Sequence, residues 1–254
     1  MSALLFLLVI FLFFGLTIPL VAYFQPRLAV QLLSSRFPSV YFHFPTLFEN
    51  SPPVVALTID DAVSANTPKI LNILNRYSAK ATFFVIGSNV VEYRERQADG
   101  EEDLLRRILK GGHELGNHMW RDEPSINLSP GAFKSQLQAV DDIVEGAYQT
   151  SRRMKWFRPG SGWFNSDMLA TLDSYGYRLA LGDIYPHDPL ITSSRMNSWY
   201  VLKRVHSGGI IILHDRNHTL QTLEAILPAL QLRGYKVVTL SEMVAMHEAK
   251  KRST

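Results

Sequence analysis

From Val54 onward, short apolar runs alternate with stretches whose apolar residues recur every three or four positions, the two periods of strands and helices. Val54 to Ile59 is apolar and β-branched. Asn66-Thr67-Pro68 then opens a helix with Ile70, Leu71, Leu74 and Tyr77 on one face, because proline suits a first helical turn. Ala81 to Ile86 reads as a strand. Glu101 to Lys110 reads as a helix with acids first, lysine last and Gly111-Gly112 as its stop. His113 to Asn117 is the next strand, and Ser129-Pro130 starts the longest helix, with Phe133, Leu137, Val140, Ile143 and Val144 as its buried stripe. Trp156-Phe157, Tyr177 to Gly182, Gly209 to Leu213 and Tyr235 to Leu240 complete seven strands. Asn165 or Ser166 caps a helix that Gly176 ends, Thr219 to Arg233 is helical, and a short helix closes the chain. Repeated strand-helix units imply an α/β fold with a parallel sheet, and seven of them can nearly close.

The N-terminal pattern differs. No charge interrupts Ala3 to Phe24, about the 20 apolar residues needed to span a bilayer, so residues 1–24 read as a membrane anchor, with a cleaved signal segment as the alternative. Residues 25–53 read as an aromatic and proline-rich linker that packs on the domain or the membrane interface, residues 54–249 as the catalytic domain, and Lys250, Lys251 and Arg252 as part of a solvated basic tail over 250–254. With 254 residues and 46% hydrophobic content, one large core suffices. A net charge of +3 without long basic runs argues against nucleic acid, and the lack of cysteine excludes disulfides and thiolate-held zinc.

Chemistry-bearing residues gather at the C-terminal ends of the strands: Asp60 and Asp61, His118, Arg158, Asp183 and His214. Loops there converge on one pocket in barrels of parallel strands, which points to an enzyme. Thr58-Ile-Asp-Asp61, His118-Met-Trp-Arg-Asp122, Phe157-Arg-Pro-Gly160 and Leu213-His-Asp215, in this order, resemble the motifs of the polysaccharide deacetylases, the NodB-homology enzymes of carbohydrate esterase family 4 that include chitin and peptidoglycan deacetylases. The resemblance implies a distorted (β/α)7 barrel and zinc-dependent removal of acetyl groups from an N-acetylglucosamine polymer such as chitin.

The residue types carry the same chemistry. Amide hydrolysis needs an activated nucleophile, a stabilised oxyanion and a proton for the amine. Alternating side chains let Asp61 face a metal while Asp60 faces water. His118 and Asp122, four apart, share a face if their segment is helical, so Asp61, His118 and Asp122 are the expected ligands of a divalent metal, zinc first, with manganese or cobalt favoured by the second carboxylate. Asp122 stands where the family has a second histidine, and Met119 where it has a small hydroxyl residue. Asp60 is the expected base, His214 the acid and Arg158 the orienter of Asp60. Asp183 and Asp188 compete to steady His214. Trp163 and Phe164 can stack on sugar or pack in the core. His43, His113, His187, His206, His218 and His247 read as structural, loop or surface residues, and Asp215 as a helix cap, with a bond to a neighbour of the pocket as the alternative. Asn127 and Asn217 lie in glycosylation sequons. Arg27 and Arg36 would put the domain in the cytosol by the positive-inside rule, but a glycan substrate implies an extracytoplasmic domain, and the substrate argument outweighs two charges. A small-amide hydrolase and an inert glycan-binding relative are the alternatives.

Overall fold

The computed structural model describes residues 15, 23–24, 26–44, 52–98, 100–148 and 154–253. It divides into two compact units, Met1–Pro38 and Ser39–Thr254. The described part of the first contains helix α1 (Arg27–Arg36). Apart from Gly15, Tyr23 and Phe24, the expected anchor lies outside the described residues, and among those no helix is long and apolar enough to cross a membrane.

In the second unit, β1 (Val40–Tyr41), β2 (Val54–Ala62), β3 (Thr82–Val85), β4 (Glu114–Asn117), β5 (Lys155–Phe157), β6 (Tyr177–Ala180), β7 (Ile210–His214) and β8 (Lys236–Val238) form one parallel sheet. Its order is β1-β6-β5-β4-β3-β2-β7, with β8 beside the start of β2 and β3 beside its end. All nine residues of β2 are buried, as a strand covered on both faces must be. Each fully buried Val, Leu or Ile contributes about 1.5–3 kcal/mol, so β2 is the spine of the core.

All seven expected strands form. Part of the aromatic segment before Val54 packs on the domain, one of the two expectations for it: β1 pairs with β6, and Phe42 and Phe44 are buried. The compact unit that holds the sheet starts at Ser39, before Val54. The basic tail also proves helical, since α9 (Leu240–Ser253) carries Lys250, Lys251 and Arg252 in its last turn, where they complement the helix dipole.

The sheet closes through the segment that follows β6. Ile184 pairs with Ile211 of β7 through Ile184 N to Ile210 O at 3.2 Å and Ile212 N to Ile184 O at 3.0 Å. Below it, the Phe44 amide donates to Gly208 O at 2.8 Å. The chain after β6 thus starts again as a short rung running parallel to β7.

The helices are α2 (Thr67–Arg76), α3 (Gly87–Arg96), α4 (Leu104–Lys110), α5 (Pro130–Ala147), α6 (Ser166–Ser174), α7 (Ser194–Arg204), α8 (Asn217–Leu232) and α9. Side chains of Asp103, Ser129, Asn165 and Ser193 cap α4, α5, α6 and α7.

Candidate active site

Strand ends build the site. Asp60 and Asp61 close β2, His118 and Arg158 directly follow β4 and β5, and His214 is the last residue of β7. Asp60 and His214 are register partners on neighbouring strands, with His214 Nε2 4.0 Å from Asp60 Oδ2.

Arg158 holds Asp60. Its Nη1 donates to Asp60 Oδ1 at 2.6 Å and to Thr58 Oγ1 at 2.7 Å, Nε to Ala180 O at 3.0 Å and Nη2 to Leu181 O at 2.8 Å. The guanidinium also stacks over Phe84, 4.3 Å from the ring centroid. Both partners are buried, so this is a desolvated ion pair with fixed geometry.

Asp188 is the carboxylate on His214. Its Oδ1 lies 2.9 Å from His214 Nδ1, and its Oδ2 accepts the His214 amide at 2.9 Å. Burial disfavours the imidazolium, but the hydrogen bond and charge of Asp188, with the charges of Asp60 and Asp61, outweigh burial and raise the pKa of His214. Asp183 does not reach the site. It sits at the foot of β7, where Oδ2 lies 2.6 Å from His206 Nε2 and Oδ1 accepts the Ile210 amide. His206, read as structural, has its ring 6.2 Å from that of His43, which packs as expected.

Asp61 adopts φ 60° at a bulge in the β2–β3 pairing, and this re-aims its carboxylate toward β4 and the turn after β7. Oδ1 lies 3.5 Å from His118 Nε2, while Oδ2 accepts from Arg216 Nη2 at 2.7 Å. The other His118 nitrogen, Nδ1, lies 2.7 Å from Arg158 O. Burial would raise the pKa of Asp61, but the His118 hydrogen bond and the charges of His118, His214 and Arg216 prevail and hold it at about 2.

Asp122 does not join this pair. His118 to Pro124 is not helical, since Met119 takes φ 68° with its amide on Asn117 Oδ1, so four-residue spacing does not align the two side chains. Gln136 of α5 fastens the loop on either side of Asp122, accepting from the Trp120 amide and donating to Glu123 Oε1, and Asp122 itself faces solvent. Among the described residues, no three His, Asp or Glu side chains are placed to hold a metal. The donors therefore do not fit the three-ligand zinc, manganese or cobalt centre expected from the sequence. Asp61 and His118 are two candidate donors, and Asp61 is already engaged by a guanidinium.

Three contributors escaped the sequence reading. Arg216 is one, two residues past the histidine. Tyr185 is another, its ring 5.8 Å from that of His214 and its phenol pushed well above the usual range by burial and then by the charges of Asp188, Asp60 and Asp61. Asn89 is the third, donating from Nδ2 to Asp61 O at 3.0 Å. A basic residue after Leu-His-Asp was the one legible signal. Asp215 does not cap the helix that follows it: its carboxylate accepts from the Ser64 and Thr67 hydroxyls, and its amide donates to Asp60 O, which ties two strand ends together. Trp163 is 70% exposed, so it is not a core residue, whereas Phe164 is half-buried.

A parallel α/β barrel whose strand ends set a carboxylate–arginine pair beside a carboxylate–histidine pair is a framework suited to hydrolysis. The chain belongs to the polysaccharide deacetylase family, whose model (Polysaccharide deacetylase) matches residues 49–180. It is 32% identical over 205 residues to a peptidoglycan-N-acetylglucosamine deacetylase of Bacillus cereus, covering 77% of this chain and 90% of that one. Two solved structures are similar. A family 4 acetyl xylan esterase from Clostridium thermocellum, in complex with a cobalt ion, has 30% identity and a TM-score of 0.66 over 76% of this chain and 91% of its own. A CE4 family pseudoenzyme from Bacillus anthracis has 26% identity and a TM-score of 0.70 over 81% of this chain and 69% of its own.

Proposed function

We propose that this chain hydrolyses N-acetyl groups on an N-acetylglucosamine polymer of the peptidoglycan or chitin type, releasing acetate. The observation that carries the proposal is the pairing of Asp60 with His214 across β2 and β7, each held by its own buried partner, Arg158 or Asp188. Asp60 takes a proton from the attacking water, the carbon–nitrogen bond breaks, and His214 delivers its proton to the departing amine. The raised pKa of His214 keeps that proton available near neutrality.

A polymeric substrate also suits the surroundings. Trp163 offers an exposed ring for a sugar face, after the turn that follows Arg158. Asn89, which donates to the Asp61 carbonyl, also lines a cavity of about 480 Å³ with Val63, Ser64, Tyr93 and Arg96, among others, room for a neighbouring sugar unit. The name of the B. cereus relative points to the same sugar amide. A polymer outside the cytoplasm would put the domain on the far side of an N-terminal anchor, and protease protection in sealed vesicles tests that arrangement.

The lack of a three-donor metal cluster among the described residues favours a second reading, an inert glycan-binding relative. Acetate release from N-acetylglucosamine oligomers and peptidoglycan fragments, with Asp60→Asn as control, separates the two. The proposal expects acetate and a loss of about 10²–10⁴-fold in the variant. Glycan binding without acetate from the wild-type chain refutes it in favour of the second.

A further inference from the structure

Each of the three carboxylates that face one another in the site already has a cation of its own. Asp60 has Arg158, Asp188 has His214, and Asp61 has Arg216. Buried carboxylates need such partners, because an unpaired charge cannot recover its lost hydration. We propose that the Arg216 guanidinium is the resident cation of this site, occupying the side of Asp61 that a divalent metal would need, so that the chain keeps no stoichiometric metal at Asp61 and His118.

The backbone delivers the guanidinium to that place. Arg216 is the residue before α8, and its amide donates to His214 O at 2.8 Å, which fixes the turn leaving β7. From there the side chain returns over the strand ends to Asp61 Oδ2 at 2.7 Å. Asp61 Oδ1 faces His118, so both oxygens of the carboxylate are engaged. An incoming metal would have to displace a charge-assisted hydrogen bond from a planar, permanently charged donor. After displacement it would find Asp61 and His118 but, among the described residues, no third protein ligand, since Asp122 is exposed on its loop. A catalytic zinc ordinarily has three. Arg216 is itself 43% exposed, so it meets Asp61 from the solvent side, the side by which an ion would arrive.

The inference goes beyond the deacetylase proposal and is read without substrate, so either can fail alone. The full chain is stripped with chelator, titrated with Co²⁺, desalted, and its cobalt counted by mass spectrometry beside Asp61→Asn, Arg216→Ala and Arg216→Met. The wild-type chain is expected to retain no stoichiometric cobalt. Arg216→Ala, or Arg216→Met if the alanine variant does not fold, is expected to bind cobalt about five- to tenfold more tightly than wild type, the size of one partly exposed ion pair removed from competition. One cobalt per wild-type chain that Asp61→Asn loses overturns the proposal, and so does a titration that removal of the guanidinium leaves unchanged.

Discussion

Replacing Arg158 by methionine should strongly destabilise the domain, and the cost should depend on Asp60. Breaking a buried ion pair by removing one partner costs about 3–5 kcal/mol, because the other charge is left buried and alone. The Ala180 and Leu181 carbonyls also lose their donor, at about 1 kcal/mol each. Methionine recovers about 1–2 kcal/mol by packing its stem on Phe84. The net loss is about 4–5 kcal/mol, against about 5–15 kcal/mol for a typical domain. Asp60→Asn should cost only about 1–2 kcal/mol, since the amide still accepts from Arg158, whose other three bonds remain. The double variant should lose about 3 kcal/mol, because no orphaned carboxylate remains, which leaves a coupling energy of about 3 kcal/mol. Urea unfolding at neutral pH, with m-values compared across the four proteins, measures the cycle. Additive losses, or an Arg158→Met variant within about 1 kcal/mol of wild type, would show that the pair is not the buried, mutually dependent unit described above.

Other outcomes follow from single contacts. In Asp188→Asn, His214 loses the partner that raises its pKa against burial, so the alkaline limb of the acetate-release profile should move to lower pH. The stability carried by protonated His214, full below about 6.5 and lost as pH rises through the folded value, should shrink with it. Histidine NMR titration reads the shift without activity, and an unmoved resonance would rule out Asp188 as the cause. His113 behaves in the opposite sense: burial, with the charge of Lys80, lowers its pKa to about 4, and its Nδ1 accepts the Ala81 amide, so it folds neutral. Stability should therefore fall by about 3 kcal/mol as pH drops from 6.5 to 4, and His113→Gln should flatten that slope in pH-dependent melts. A Cβ at Gly160 would lie 2.1 Å from Glu123 O, so Gly160→Ala must push apart the loops after β4 and β5, at about 1–3 kcal/mol by thermal melting. An unchanged melting temperature would mean that those loops are not in close contact.

The strands were legible because each is a short apolar run between helices with clear stripes and stops; Val54 to Ile59 and Ile210 to Leu213 could hardly be anything else. Helix α3 was not read, since it has only Gly87 and Val90 buried, no side-chain cap and a charged second half, leaving no stripe to find. Strand β1 is two residues long and borrows its stability from β6, a long-range contact that local pattern does not record. At the site, Asp60, Arg158 and His214 came from strand-end position and motif order together, and geometry brings them into contact. Asp122 went wrong because four-residue spacing means proximity only on a helix, and Met119 turns left-handed instead. The choice between Asp183 and Asp188 depended on where β6 stops: it ends at Ala180, and the chain then begins a second parallel run that no pattern in Tyr177 to Asp188 announces.

That second run joins architecture to chemistry. Ile184 seals the gap against β7, and four residues later the same segment presents Asp188 to the histidine. A chain in which Ile184 leaves β7 also loses the register that sets Asp188 against His214. The seam of the barrel and the carboxylate partner of His214 therefore stand or fall together.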